Sequence, residues 1–112
     1  MNEKEKILWN NFEEYFDLGL RAFNESKYNS ATTLFFKALV ALSDLIILQK
    51  ENKIPSSHSD RFRIIEERYP QLYSILDRDF PFYQDSYTKK MDKESAELLK
   101  DDIEKIKKML EK

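Results

Sequence analysis

The stretch SATTLFFKALVALSDLIILQK, from Ser30 to Lys50, is the longest apolar run of the chain and decides its fold. It contains no glycine or proline, and only Lys37 and Asp44 are charged before its final residue. Apolar residues recur on nearly every face of this stretch when it is drawn as a helix. That distribution is typical of a helix enclosed by its neighbours rather than one lying on a surface. We therefore predict a central helix with the rest of the chain packed around it.

The flanking sequence predicts four further helices from its apolar spacing and its helix-end signals. Ser26 is expected to cap the central helix and Ser57 the third, whereas Pro70 ends the third and opens a short fourth. Residues 77–91 are expected to form an irregular aromatic segment, after which Asp92 caps the last helix. The predicted helices cover residues 3–24, 27–51, 58–68, 71–76 and 92–112. In the last helix, one narrow apolar seam is formed by Ala96, Leu99, Ile103, Ile106 and Leu110.

Composition supports an all-α fold in a single domain of residues 1–112. A single glycine and three prolines leave little room for the turns of a β fold, and 41% hydrophobic residues argue against wholesale disorder. The net charge of −2 is spread evenly, so no segment marks a nucleic-acid surface by charge alone. The absence of cysteine excludes thiolate metal sites and thiol catalysis and is consistent with a cytoplasmic location. The stretch 38–48 is too short, and too interrupted by Asp44, to predict a membrane span.

One histidine and a group of arginines and tyrosines are the candidate functional residues. His58 is the only histidine, and it is either a general base or nucleic-acid contact or an exposed residue at a helix start. Arginine binds phosphate through paired hydrogen bonds and aromatic rings stack on bases, although the same residues also suit a solvated helix face. The predicted ligand-binding candidates are Arg61, Arg68, Arg78, Tyr83 and Tyr87.

No metal or cofactor site is predicted. Adjacent carboxylates such as Glu66 and Glu67 point about 100° apart on a helix, so they do not converge on one ion. The chain has no Glu-x-x-His pair, no phosphate-binding glycine loop and no nucleophilic serine elbow.

Two resemblances bear on function. The spacing of Gly19, Ala22, Ala31, Phe35 and Ala38 is similar to that of one tetratricopeptide repeat. The whole chain more closely resembles a HEPN domain, through FNESKYNSA (23–31) leading into the long helix, PSSHSDRF (55–62), and YQDSY (83–87) before a last helix containing Ser95-Ala96-Glu97.

The HEPN resemblance implies a four- to five-helix up-and-down bundle around the long second helix, usually as a homodimer. Many members are toxin ribonucleases or partners of nucleotidyltransferase antitoxins. Active members carry an arginine followed after four to six residues by histidine, but Arg78 is followed at those offsets by Tyr83, Gln84 and Asp85.

We therefore expect a non-catalytic binding or assembly module. It is expected to be a homodimer without a membrane contact that binds a nucleotide, RNA or a partner protein such as a nucleotidyltransferase. Two alternatives stay open: a ribonuclease that uses His58 with Arg61 or Lys53, and a protein adaptor that uses the first helical hairpin.

Overall fold

The computed structural model describes residues 1–110 of the protein. Within that range it is an all-α bundle of five helices without strands, which confirms the predicted fold class. The helices are α1 (Glu3–Asn24), α2 (Tyr28–Glu51), α3 (His58–Arg68), α4 (Pro70–Asp85) and α5 (Lys93–Leu110).

Helix α2 is the centre of the bundle, as predicted. Every residue from Ala41 to Leu48 is buried, and α1, α4 and α5 pack directly against it. By length and composition, the whole of α2 could also cross a membrane. The prediction that this stretch is too short considered only residues 38–48 and therefore underestimated the length of the apolar helix. In the most apolar window of α2, however, 78% of the residues are buried inside the bundle.

Helices α1 and α2 form an antiparallel hairpin. Glu5, in the first turn of α1, accepts a hydrogen bond from Gln49 at the end of α2 over 3.0 Å. Gly19 makes the close packing possible, because a Cβ atom there would lie 2.7 Å from the ring of Phe35. The glycine thus leaves room for an aromatic side chain of α2.

The prediction that Ser26 caps α2 is wrong. Ser26 has a left-handed backbone with a φ of 61°, and Lys27 takes the cap position without a side-chain hydrogen bond. The expected cap of α3 is confirmed, since the hydroxyl of Ser57 accepts a hydrogen bond from the backbone N–H of Asp60.

Helix α4 is much longer than predicted. It continues through Pro81 to Asp85, whereas the sequence indicated an irregular segment after residue 76. Proline has no N–H, so the backbone carbonyl of Asp77 lacks its helical hydrogen bond. Both Pro81 and Asp77 are exposed, so water can take the place of the missing donor. The rings of Phe80 and Tyr83 pack on the buried ring of Phe36, with centroids 5.8 and 4.7 Å away, and this packing favours the continued helix.

The last helix and the turn before it agree better with the sequence. Asp92 caps α5 by accepting a hydrogen bond from the N–H of Ser95. The side chain of Asn29 holds this turn through three hydrogen bonds. Its Nδ2 donates to the carbonyls of Ser86 and Lys89, and its Oδ1 accepts from the N–H of Met91. In the predicted apolar seam, Leu110 is half-buried, and the fully buried members are Ala96, Leu99, Ile103 and Ile106.

Candidate functional site

A pocket of about 370 Å³ opens between α1, α2, the loop that precedes α3, and α4. Its volume lies in the range of natural small-ligand pockets, about 300–1,000 Å³. One part of the wall is apolar and is formed by Leu8, Phe36, Val40, Ala41 and Pro55. The polar part includes Asn11, Lys37, Asp44, His58, Arg61 and Tyr83. The pocket therefore combines an apolar wall with a cluster of polar groups.

The base of this cluster is a buried ion pair between Asp44 and Arg61. Asp44 interrupts the apolar run of α2 and is 6% exposed, while Arg61 in the first turn of α3 is 8% exposed. The guanidinium binds the carboxylate through two bonds, from Nε to Oδ1 at 2.7 Å and from Nη2 to Oδ2 at 2.9 Å. A buried charge needs such a partner because desolvation is costly. The pair therefore anchors α3 on α2 beneath the pocket.

The remaining guanidinium nitrogen of Arg61 sets the state of His58. Its Nη1 atom lies 2.9 Å from Nδ1 of His58. Arginine stays protonated and can only donate, so Nδ1 must accept and the proton of the neutral ring must lie on Nε2. Desolvation, followed by the positive charge of Arg61, lowers the pKa of His58, with Lys37 acting in the same direction and Asp44 against it. His58 is thus held as a neutral hydrogen-bond donor.

A lysine lies beside two linked tyrosines at the other side of the pocket. The ammonium of Lys37 lies 5.9 Å from the ring centroid of Tyr83, and within residues 1–110 Lys37 makes no salt bridge. The hydroxyls of Tyr83 and Tyr87 are 2.8 Å apart. Burial, then this hydrogen bond, raises the pKa of Tyr83 to about 12, so its hydroxyl stays protonated at neutral pH.

The structure brings together only some of the residues that the sequence singled out. His58, Arg61 and Tyr83 line the pocket, and Tyr87 touches Tyr83. Arg61 was predicted as a ligand-binding residue, which implied a free arginine on the surface. Instead its guanidinium is buried and pairs with Asp44.

Arg68 and Arg78 lie away from the pocket. Arg68 pairs with Glu51 at the end of α2 over 2.9 Å, and Arg78 pairs with Asp102 on α5 over 2.6 Å. The five predicted ligand-binding candidates therefore do not form one surface.

Two charged residues of the pocket, Lys37 and Asp44, were not among the predicted site residues. A lone carboxylate inside an apolar helix signals a buried cationic partner, and this signal was present at Asp44. Lys37, on the same helix, carries no comparable signal, because an isolated lysine is ordinary on a helix surface.

No metal chemistry is indicated by the described residues. Within residues 1–110, no three histidine, aspartate or glutamate side chains form a group that could hold a metal ion.

In comparisons with known proteins, no family model, no curated protein and no solved structure matches this chain.

Proposed function

We propose that this chain is a non-catalytic, HEPN-like binding module that holds a nucleotide in the pocket around His58. The single observation that supports the proposal most is that Lys37 and His58, whose proton lies on Nε2, line the same pocket as an apolar wall. A nucleotide has matching parts, because its phosphate is an anionic acceptor and its base is a flat, largely apolar ring.

The charges of the pocket favour an anion. Lys37 and Arg61 carry positive charge and Asp44 carries negative charge, while His58 is neutral at pH 7. Because Asp44 neutralises Arg61 through two hydrogen bonds, the ammonium of Lys37 is the net positive charge available to a ligand. A hydrogen bond that involves a charged group contributes about 1.5–3 kcal/mol, so Lys37 should dominate phosphate binding.

The proposal is tested by titrating the ¹⁵N-labelled protein with adenosine monophosphate at low salt and following its backbone amide signals. We expect shifts concentrated around Lys37, His58 and Tyr83. Lys37→Ala should weaken binding by about 10- to 100-fold, which corresponds to the loss of one charge-assisted contact. Adenosine, which lacks the phosphate, should bind wild type about as weakly as the nucleotide binds the variant.

Lys50→Ala is the matched control, since Lys50 is an exposed lysine on the same helix that does not line this pocket. It should bind the nucleotide like wild type. The proposal fails if the nucleotide shifts no signal, if shifts arise away from the pocket, or if Lys50→Ala is as harmful as Lys37→Ala.

A ribonuclease that uses His58 is the second candidate, because Arg61 does contact this histidine. The direction of the hydrogen bond argues against it. A catalytic base needs a free ring nitrogen towards substrate, whereas donation from Arg61 occupies Nδ1 and places the proton on Nε2. We expect no RNA cleavage above a buffer blank. Cleavage by wild type that disappears in His58→Ala would reverse the ranking of the two candidates.

The homodimer, the nucleotidyltransferase-type partner and the cytoplasmic location stay predictions of the sequence. The apolar residues of α2 add no support for a dimer, because most of them are buried within a single chain. The dimer now rests on the HEPN resemblance alone. Light scattering at micromolar concentration should give twice the chain mass of 13.5 kDa, and a mass near 13.5 kDa would exclude it.

A further inference from the structure

Two aspartates lie fully buried where α4 meets α5. Asp79 of α4 and Asp102 of α5 each have 0% of their surface exposed. One half-exposed arginine reaches both, because Arg78 donates from Nη2 to Asp102 over 2.6 Å and lies within 3.4 Å of Asp79 through Nε. The exposed ammonium of Lys105 lies 3.7 Å from Asp102. The two buried carboxyl groups therefore have few hydrogen-bond donors close to them.

Each carboxyl group also has an oxygen without a donor. Within residues 1–110, Oδ2 of Asp79 and Oδ1 of Asp102 are buried and accept no hydrogen bond, because the Lys105 ammonium, 3.7 Å from Oδ1 of Asp102, lies beyond hydrogen-bond distance. Both groups contact the same guanidinium, that of Arg78, and two ionised carboxylates can only accept hydrogen bonds. A single proton between them turns one group into a donor and satisfies the other, as it does in paired carboxyl sites.

We propose that Asp79 and Asp102 share one proton, and that this shared proton is a pH-sensitive latch that holds α4 against α5. When the proton leaves, two buried negative charges face each other with Arg78 as their close partner. Repulsion and the unmet desolvation cost then loosen the contact between the two helices.

The surrounding charges agree with this assignment. Among residues 1–110, no charged side chain of α2 or α3 makes a hydrogen bond or salt bridge to either carboxyl group, so Arg78 and Lys105 are the cations that face the pair. Burial, followed by the hydrogen bond to Asp102 and its charge, raises the pKa of Asp79 to about 8, and Arg78 opposes the shift. The folded protein therefore retains a proton that the unfolded chain, with an aspartate pKa of 3.8, releases.

The direction of the pH effect follows from this difference. The stability contribution is fully present below pH 3.8, is lost as the pH rises towards about 8, and changes no further above that value. The latch is also placed to move functional side chains, because Phe80 follows Asp79 directly and its ring centroid lies 6.0 Å from that of His58.

The test compares urea unfolding of wild type and Asp79→Asn across this pH range. Asparagine keeps the shape, cannot ionise, and offers its amide as a permanent donor to Asp102. We expect the urea midpoint of wild type to fall as the pH rises, when it is compared with the midpoint of Asp79→Asn at the same pH. Only wild type loses the stability that the shared proton contributes. Asp77→Asn removes an exposed acid on the same helix and should retain the wild-type pH dependence.

A second measurement does not depend on any variant. The carboxyl ¹³C signals of the wild-type aspartates should include one, assigned to Asp79, that titrates well above the ordinary range for aspartate. The latch is refuted if all aspartate signals titrate below about pH 5, near the unperturbed value. It is also refuted if Asp79→Asn folds and follows the same pH dependence as wild type.

Discussion

Removal of the Arg61 side chain is the perturbation whose effect the structure specifies most closely. The Arg61→Ala variant leaves the carboxylate of Asp44 inside the bundle, on a helix turn where every neighbouring residue of α2 is buried. The two hydrogen bonds to Asp44, of 2.7 and 2.9 Å, are lost together with the positive charge and the hydrogen bond to His58. Breaking a buried pair in this way costs about 3–5 kcal/mol, because the remaining charge stays desolvated without a partner.

Urea unfolding followed by circular dichroism measures this loss, with the Arg63→Ala variant as the matched control. Arg63 lies two residues further along α3, is exposed, and pairs with Asp60 over 2.6 Å on the surface. Exposed pairs contribute about 0–1 kcal/mol, so the control should unfold almost like wild type.

A double replacement separates the charge from the packing. Asp44→Leu combined with Arg61→Met removes both charges and fills the space with apolar atoms. We expect its stability to lie within about 1–2 kcal/mol of wild type, far above that of Arg61→Ala, because no lone charge is left buried. If Arg61→Ala costs no more than Arg63→Ala, Asp44 reaches water and the described base of the pocket is wrong.

Three further substitutions test the packing of the bundle. Leu42→Ala, at a fully buried position of α2, should cost about 2–5 kcal/mol in a denaturant titration, and a loss below about 1 kcal/mol would show that this face is not core. Gly19→Ala should destabilise by about 1 kcal/mol although alanine favours helix, because its Cβ would lie 2.7 Å from the buried ring of Phe35; a more stable variant would contradict that packing. Asn29→Ala removes three hydrogen bonds to the turn before α5 and should cost about 2 kcal/mol, with faster amide exchange at Met91; unchanged exchange would show that Asn29 does not hold the turn.

Much of the fold could be predicted from local sequence. Helices α1, α2, α3 and α5 follow apolar spacing, and the caps at Ser57 and Asp92 follow residue type and position. The second half of α4 could not be predicted in this way. Pro81 is a local signal against a helix, and it is overridden by the packing of aromatic rings on Phe36, a partner more than 40 residues earlier in the sequence.

The candidate site was less accessible to sequence reasoning, because it depends on pairings between helices. Asp44 and Arg61 are 17 residues apart, and no local pattern specifies that they meet. Asp102 is a comparable case, since it lies beside Ile103 on the buried side of α5. Its position next to the apolar seam is a signal that could have marked it as buried.

The most direct test of the proposed site is to measure the protonation state of His58 with and without nucleotide. Long-range ¹H–¹⁵N correlation spectra report which ring nitrogen carries the proton and at what pH the ring titrates. We predict a neutral ring with its proton on Nε2, a pKa below the ordinary histidine value of 6.5, and a marked shift of the Nε2 signal when adenosine monophosphate is added. A proton on Nδ1, or an Nε2 signal that the nucleotide does not change, would contradict this prediction.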